Sequence, residues 1–489
     1  MKTTFLREIT LYRYRYVVGY TAFGLLFLAL LLVGIEQAPR GLSTQEMASA
    51  VTSVNLNIFN PITSNVIDAP YQILQKASIH FLGLTSLAIK LPSILIGAAT
   101  GIGIILMLQK WFRKNVALIT TLIIVTSVGF LSLARTGTPM IMTAFWTVML
   151  LLGATHVLHG ERHQFVWKLF CFICVALLAY SPFGVYPLLV MTIAGIIHPH
   201  VRHRLKQGTA RHHATSVIII LLLLGPLLVS IIYTPSIASR LLGFDQAGHF
   251  QLTNLWENAT YILGTLFNFT SHTTQGIMAP MFGIATTVLL VLGILKLCTA
   301  TYSARSYMLF IWLLVLMPIV LLRPDMILLI IVPATLILAI GIETLIRQWY
   351  DIFPRNPYAR IAALIPLTIL VISIVGINME RYFYGSHYSA LATNFHAELP
   401  AVRSALDTHQ FGKIRPVVLS VPDDQMAFYD LLRSEFPTLS VNSDPTSVSA
   451  PVIVLASITP QRDGHTPTRI VTSDLSQDTQ AVLLRVYAR

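Results

Sequence analysis

The chain has 489 residues and a net charge of +12 at pH 7, with 55% hydrophobic but only 11% charged residues. Soluble domains carry about 25% charged residues, so this composition excludes an ordinary soluble protein. The three cysteines, Cys171, Cys174 and Cys298, predict neither a disulfide framework nor a zinc site, because the close pair lies in an apolar segment without a nearby charge.

Apolar segments long enough to cross a hydrocarbon core predict about eleven transmembrane helices. They lie near residues 17–35, 86–108, 116–133, 140–158, 167–181, 183–198, 216–234, 281–298, 307–322, 326–345 and 361–378. We expect the first to be a signal anchor, because further spans follow it. The fifth and sixth share one apolar stretch, and the Pro and Gly at 181–184 favour a tight turn or a re-entrant pair there.

Lys and Arg residues are distributed unevenly between the two sets of loops, eighteen in one and six in the other. This bias predicts a multi-pass protein of the cytoplasmic membrane with a cytoplasmic N-terminus, and eleven spans then place residues 379–489 outside. The positive net charge is therefore mainly topological, with some attraction to anionic membrane lipids. We interpret the basic stretch 198–213 as a short cytoplasmic loop, and we expect no nucleic-acid partner.

The sequence pattern changes after the last span. An amphipathic helix is predicted at 387–408 and a second helix at 424–435, while strand-like runs occur at 416–421, 451–456, 468–472 and 481–487. The fold class is thus an α-helical polytopic membrane domain, residues 1–379, followed by a small extracytoplasmic α/β domain, residues 380–489.

The largest outer loop of the membrane half, residues 36–85, contains Glu46 and Asp68, where we expect juxtamembrane helices. A second outer loop, 235–280, is rich in aromatic residues that suit the membrane interface. A carboxylate near the headgroup layer could take a proton from an acceptor during transfer from a lipid phosphate. Structural interpretations stay open: Glu46 could be a solvated or capping acid, and Asp68 could form a turn before Pro70.

Three cations are expected on the same side of the membrane, namely Lys90, Arg135 and Arg323. Any of them could stabilise the phosphate leaving group of a lipid donor. Lys90 and Arg135 could instead be snorkelling anchors, and Arg323 could simply pair with Asp325 across a tight turn. Their shared side favours the functional interpretation.

Several segments resemble the GT-C membrane glycosyltransferases, in particular the family 39-like branch of protein mannosyltransferases and aminoarabinose lipid A transferases. The similar segments are 41–50 and 68–74 of the first loop, 81–83 and 90–93 at the start of the second span, 111–112, 132–136 and, weakly, the late spans up to 381–383. The resemblance covers most of residues 15–200. It implies a GT-C fold and an enzyme that uses a polyprenyl-phosphate-linked sugar as donor.

The chain departs from the family pattern at three positions. The catalytic Asp of the family falls at Gln45, whose amide cannot act as a base, so only the following acid, Glu46, is kept. The Lys before the proline falls at Ala69, and an acid after the third-to-fourth turn falls at Met140. Glu46 or Asp68 would then be the base.

The leading hypothesis is a glycosyltransferase that moves a sugar from a polyprenyl-phosphate donor to an extracytoplasmic protein, lipid or glycan. The departures also allow a catalytically inactive relative that binds lipid-linked glycan or cell-envelope partners. A transporter is the third hypothesis, which the scarcity of mid-membrane acids disfavours. We expect no cofactor, because two carboxylates without His make a poor dedicated metal site, although a divalent metal on them stays possible.

Overall fold

A computed structural model describes residues 15–58, 60, 66–160, 164–197, 202–203, 210–244, 254–269, 277–299, 304–352, 358, 362, 364–408, 416–444, 451–458, 466–472 and 482–487. All of the predicted site residues lie in these ranges. Most of the basic stretch 198–213 lies outside the described residues.

The membrane half consists mainly of helices. Its α-helices are α1 (Arg15–Leu32), α2 (Thr44–Asn55), α3 (Ala69–Leu82), α4 (Ser86–Trp111), α5 (Lys114–Val125), α6 (Val128–Arg135), α7 (Ile141–His159), α8 (Gln164–Leu178), α9 (Val185–Ile197), α10 (Ala210–Tyr233), α11 (Ser236–Leu242), α12 (Leu255–Phe267), α13 (Ile284–Thr299), α14 (Ala304–Leu322), α15 (Ile331–Ile352) and α16 (Leu364–Tyr388). A 3-10 helix, Pro324–Ile330, precedes α15.

Each of the eleven predicted spans contains a helix, and the chain is a multi-pass membrane protein. Within the described ranges, five helices are long and apolar enough to cross a membrane, and six if the bent pair of α5 and α6 counts as one span. That pair bends by 66°, as in a broken span or a re-entrant loop, so the span predicted at 116–133 is not one continuous helix. The total of eleven spans stays a prediction.

Small residues bring the membrane helices close together near the first outer loop. A Cβ atom at Gly97 of α4 would lie 2.6 Å from the Cβ of Ala134 on α6, and one at Gly101 would lie 2.6 Å from the ring of Phe27 on α1. Glycine at these positions therefore permits the close helix packing that is common in membrane proteins. This packing sets the position of Arg135, the last residue of α6.

The C-terminal unit, by which we mean the described part of 395–487, contains a five-stranded sheet of order β4-β3-β5-β7-β6. Its elements are β2 (Phe395–His396), α17 (Glu398–Thr408), β3 (Val417–Ser420), α18 (Met426–Asp430), β4 (Leu439–Asn442), β5 (Val452–Leu455), β6 (Arg469–Thr472) and β7 (Val482–Tyr487). β3 runs parallel to β4 and β5, whereas β7 is antiparallel to β5 and β6. Every residue of β3 and β5 is buried, as is typical of apolar parallel strands in the middle of a sheet.

The predicted helix 387–408 is broken in the structure. Helix α16 continues to Tyr388, a 3-10 turn follows at Ala390–Asn394, and the chain becomes extended at β2 before α17 begins. β2 pairs antiparallel with β1 (Leu42–Ser43) of the first outer loop. A long-range strand pair therefore replaces the helix that local periodicity predicts.

The first outer loop and the C-terminal unit share a hydrophobic cluster. Its buried members include Leu42, Met47 and Leu84 from the loop, together with Leu399, Val402, Phe428, Leu432 and Phe436. Glu435 accepts a hydrogen bond from the backbone N–H of Leu84 at 2.7 Å and pairs with Arg403 at 2.7 Å, and Arg403 also donates to the carbonyl oxygen of Leu84 at 2.8 Å. The loop that carries both predicted acids is thus held against this unit.

Candidate active site

Glu46 is fully buried at the start of α2. Ser43 caps this helix: its hydroxyl accepts from the backbone N–H of Glu46 at 3.2 Å, and the carboxylate of Glu46 accepts from the N–H of Ser43 at 2.7 Å. The other carboxylate oxygen accepts from the backbone N–H of Gly137 at 2.6 Å. Both oxygens are therefore engaged, and Glu46 joins the first loop to the turn after α6.

Lys90 is fully buried in α4 and points at the beginning of the first loop. Its ammonium group donates to the carbonyl oxygen of Gly41 at 2.7 Å and to those of Ile35 and Pro39 at 3.3 Å. These contacts satisfy a buried cation that would otherwise be costly. The same contacts leave the ammonium group enclosed in this conformation, so a lipid phosphate does not reach it.

Arg135 has the same kind of environment. Its guanidinium donates to the carbonyl oxygens of Leu30 at 2.6 Å, Val33 at 2.8 Å and Ala38 at 3.0 Å, which satisfies acceptors at the end of α1. The rings of Tyr382 and Phe383 lie 5.5 Å and 5.4 Å from it. Since the side chain is fully buried among these partners, it is not free to stabilise a lipid phosphate, the role that the sequence suggests for it.

Asp68 differs from Glu46, Lys90 and Arg135 because it is buried with too few hydrogen-bond partners for its carboxyl group. Its backbone is left-handed, with φ 58° and ψ 21°, a conformation that non-glycine residues rarely adopt. The residue is 7% exposed, and one of its carboxyl oxygens has no hydrogen-bond partner in the structure. Burial raises the pKa of Asp68 to about 8, although a hydrogen bond from Ser181 and the positive charge of Arg240 both act to lower it.

The neighbours of Asp68 come from turns that are distant in sequence. The backbone N–H of Asp68 donates to the carbonyl oxygen of Tyr180 at 2.9 Å, just before the interruption predicted at 181–184. In that turn Phe183 also has a positive φ, 60°, and its N–H donates to Leu241 of α11 at 2.9 Å. Two strained backbone positions therefore meet at one site, as is common at functional sites.

Arg323 lies at the edge of the same group of turns. It donates to both carboxylate oxygens of Asp325, at 3.2 Å and 3.0 Å, and to the carbonyl oxygen of Gly243 at 2.9 Å. Its guanidinium also lies 5.8 Å from the centre of the Phe183 ring. The hydrogen bonds of Arg323 thus connect the turn before α15 to the turns around Asp68. Its ion pair with Asp325 is the structural role that the sequence offers as an alternative to phosphate binding.

The structure therefore divides the predicted site residues into two groups. One group lies around residues 30–46 and consists of Glu46, Lys90 and Arg135. The other group lies among the turns at 181–184 and 236–243 and consists of Asp68 and Arg323. Tyr71 lies between the groups: its hydroxyl is 2.8 Å from that of Ser93, and the negative charges of Glu46 and Asp68 both add to the effect of burial in raising its pKa.

The three positions that depart from the family pattern have different surroundings. Gln45 is exposed on α2, whereas Ala69 is buried in an apolar cluster with Leu56, Val66 and Tyr180. Met140 lines a cavity of about 20 Å³, which holds roughly one water molecule and is too small for a prenyl chain. Ala69 and Met140 both have apolar surroundings, which agrees with the absence of an ionisable side chain at these two positions.

Sequence reasoning did not select Ser181 or Arg240 as site residues. The broken apolar stretch at 181–184 and the scarcity of outer-side cations were the signals that could have found them. Within the described part of the chain, no three His, Cys, Asp or Glu side chains come together as a metal site would require. The expectation of no cofactor stays a prediction.

Comparison with known proteins gives a family match and structural neighbours. Residues 71–229 match the family model of dolichyl-phosphate-mannose-protein mannosyltransferase. No curated protein sequence matches the chain.

Among solved structures, the chain is similar to ArnT from Cupriavidus metallidurans bound to undecaprenyl phosphate, with a TM-score of 0.52 and 13% identity over 96% of this chain and 98% of that chain. It is also similar to the Archaeoglobus fulgidus oligosaccharyltransferase tethered with an acceptor peptide, with a TM-score of 0.51 and 14% identity over 87% of this chain and 64% of that chain. The archaeal enzyme AglB, in complex with an inhibitory peptide and a dolichol-phosphate, gives the same TM-score, 0.51. At these identities the similarity concerns the fold.

Proposed function

The chain has the fold of the GT-C membrane glycosyltransferases, as its sequence predicts, and on that premise we propose that it transfers a sugar from a polyprenyl-phosphate donor to an extracytoplasmic acceptor. The acceptor is a protein, a lipid or a glycan. Structural neighbours that bind undecaprenyl phosphate and dolichol-phosphate support a lipid-phosphate donor.

The observation that carries the proposal is the state of Asp68. A buried carboxyl with an unpartnered oxygen, a strained backbone and a pKa raised to about 8 has the properties of a group adapted to proton transfer. A structural acid is normally satisfied by its neighbours, as Glu46 is. We therefore assign the base role to Asp68, and we assign to Glu46 the role of positioning the first loop.

The reaction is a displacement at the anomeric carbon of the donor sugar. The acceptor oxygen or nitrogen forms a bond to that carbon, and the bond from carbon to phosphate oxygen breaks. The electron pair of the broken bond stays on the phosphate, while the proton of the acceptor passes to ionised Asp68. With a pKa of about 8, roughly one tenth of Asp68 is ionised at pH 7, so this base operates near its pKa.

The proposed topology follows the charge distribution of the sequence. Eleven spans and a cytoplasmic N-terminus place the first outer loop, the turns around Asp68 and the C-terminal unit on the extracytoplasmic face of the cytoplasmic membrane. The donor lipid then lies in the outer leaflet of the same membrane. The contacts between the first loop and the C-terminal unit support a common location for both.

The test is glycan transfer in proteoliposomes supplied with polyprenyl-phosphate sugars. Asp68→Asn removes the base while it keeps the side-chain shape, so transfer should fall by at least 100-fold, the order of general-base catalysis. Asp430→Asn is the matched control, because Asp430 is half-exposed and pairs with Arg433, three residues further along the chain. Equal transfer by wild type and Asp68→Asn would remove Asp68 from the mechanism.

Glu46→Gln separates the two acids. If Glu46 positions the loop, the variant loses thermal stability together with transfer, because an amide cannot accept from both backbone N–H groups. If transfer is lost while stability is unchanged, Glu46 acts directly in the reaction. Copurification of a prenyl-phosphate sugar that is never turned over would instead identify an inactive lipid-binding relative.

A further inference from the structure

The three cations that the sequence suggests as ligands of the donor phosphate are already bound to other partners. Lys90 and Arg135 each donate to three backbone carbonyl oxygens, and Arg323 pairs with Asp325. A lipid phosphate would have to break these contacts before it could bind. A different cation, with unused donors, is therefore needed for the phosphate.

Arg381 meets this requirement. It lies on α16, is 7% exposed, and its guanidinium makes a single long hydrogen bond, 3.4 Å from Nη1 to the carbonyl oxygen of Phe282. Its Nε has no partner in the structure. A guanidinium has five N–H donors, so most of the capacity of this buried group is unused by the described residues. Leaving such donors unpaired costs free energy that an anionic ligand would recover.

Gly283 lies beside the guanidinium of Arg381. A Cβ atom at Gly283 would lie 3.9 Å from Nη1 of Arg381 and 4.0 Å from its Cζ, so glycine leaves more room beside the guanidinium than any other residue would. Gly283 itself is partly exposed, and Ile377, one turn before Arg381, is 44% exposed. A lipid headgroup can thus approach over Gly283 while its chain lies along the apolar surface of α16.

The position along the helix suits a headgroup. Arg381 precedes the end of α16 at Tyr388 by seven residues, about two helical turns or 10 Å. The span predicted at 361–378 ends three residues before Arg381, so we expect its guanidinium beside the headgroup layer, where the phosphate of a membrane lipid lies. The next two residues, Tyr382 and Phe383, pack on Arg135 and so fix the rotation of this part of the helix.

We infer that Arg381 binds the phosphate of a prenyl-phosphate lipid, which enters over Gly283. This inference rests on the proposed function, because it names the group that holds the donor. The planar guanidinium can give two parallel hydrogen bonds to phosphate oxygens, a geometry that a lysine cannot reproduce. Glu380 is exposed beside Arg381, and its negative charge opposes the binding of an anion.

The experiment measures the binding of undecaprenyl phosphate to the full chain in nanodiscs by native mass spectrometry. Arg381→Gln should weaken binding by at least 10-fold, and Arg381→Lys should restore only part of it. Gly283→Leu should weaken binding similarly, because its side chain covers the guanidinium while Arg381 stays in place. Arg347→Gln is the matched control, since Arg347 is an exposed arginine paired with Glu343 on α15.

The outcomes separate the inference from the proposed function. If wild type binds undecaprenyl phosphate and both Arg381→Gln and Gly283→Leu bind it equally well, the inference is wrong while the proposed function stands. If wild type does not bind it, both are overturned. Inorganic phosphate and phosphatidylglycerol serve as competitors: displacement by either at equal concentration would show a general anion site and contradict a prenyl-phosphate site. Thermal unfolding of each variant shows whether weakened binding reflects loss of the fold.

Discussion

The variant Asp68→Asn should lose glycan-transfer activity but should have a larger free energy of unfolding than wild type. The pKa of Asp68 rises from 3.8 to about 8 on folding, so the folded protein holds a proton that the unfolded chain releases above pH 4. The stability contributed by this proton is greatest at low pH and is lost as the pH rises towards 8, at 1.36 kcal/mol per pH unit. An amide stays neutral at every pH and tolerates the left-handed backbone. The difference in free energy of unfolding between the variant and wild type should therefore grow by about 4 kcal/mol between pH 5 and pH 8, in favour of the variant.

The assay is thermal unfolding in nanodiscs, followed by intrinsic fluorescence between pH 5 and pH 8. With an unfolding entropy of about 2.1 cal/mol/K per residue, 489 residues give about 1 kcal/mol/K, so the difference in Tm between variant and wild type should widen by about 4 °C. Wild-type transfer should rise over the same range as Asp68 ionises. A constant or shrinking Tm difference would refute the burial argument, because it would mean that Asp68 is already ionised in the folded protein.

Three further predictions concern the first loop. Gly41→Val should abolish the β1–β2 pair, because Gly41 has φ +81° and a Cβ there would lie 2.1 Å from the carbonyl oxygen of His396. The first loop of the variant should then be cleaved faster by a protease. An unchanged cleavage rate would contradict this prediction. Lys90→Met should lower the free energy of unfolding by about 3 kcal/mol, because it leaves three carbonyl oxygens unpaired, and the Tm should fall accordingly. An unchanged Tm together with weaker lipid binding would instead identify Lys90 as a phosphate ligand. Arg403→Met and Glu435→Gln should show a coupling of about 1 kcal/mol in a double-mutant cycle, and strict additivity would argue against this ion pair.

The sequence was a good guide to elements whose stability is local. Long apolar runs predict helices because lipid requires every backbone group to be paired within its own segment, and each predicted span contains a helix. The strands β3, β5, β6 and β7 lie within the runs predicted for them. The strand β4, Leu439–Asn442, was missed, because only Leu439 is fully buried and its pattern is weakly apolar.

Long-range contacts account for what the sequence did not predict. The β1–β2 pair interrupts the helix expected at 387–408, because Leu42 and His396 are far apart in sequence and local periodicity does not report their pairing. The same limit affects the site. The charge of Arg135 marks it as a phosphate ligand in the sequence, but its three carbonyl acceptors come from residues about 100 positions earlier.

Only the folded chain distinguishes the two acids. Glu46 and Asp68 are both single acids in one outer loop, and the sequence gives them equal standing as bases. Folding brings three backbone and side-chain partners to Glu46 but leaves an oxygen of Asp68 buried without one. Both acids are buried, so the hydrogen-bond partners that the surrounding residues supply, or fail to supply, distinguish the two.

The most direct test of this account is a cryo-EM map of the chain with undecaprenyl phosphate in nanodiscs. We predict phosphate density at the end of the helical bundle that carries the first outer loop, with the prenyl chain along the membrane helices. Density at the opposite end of the bundle, near the start of α5, would contradict the account.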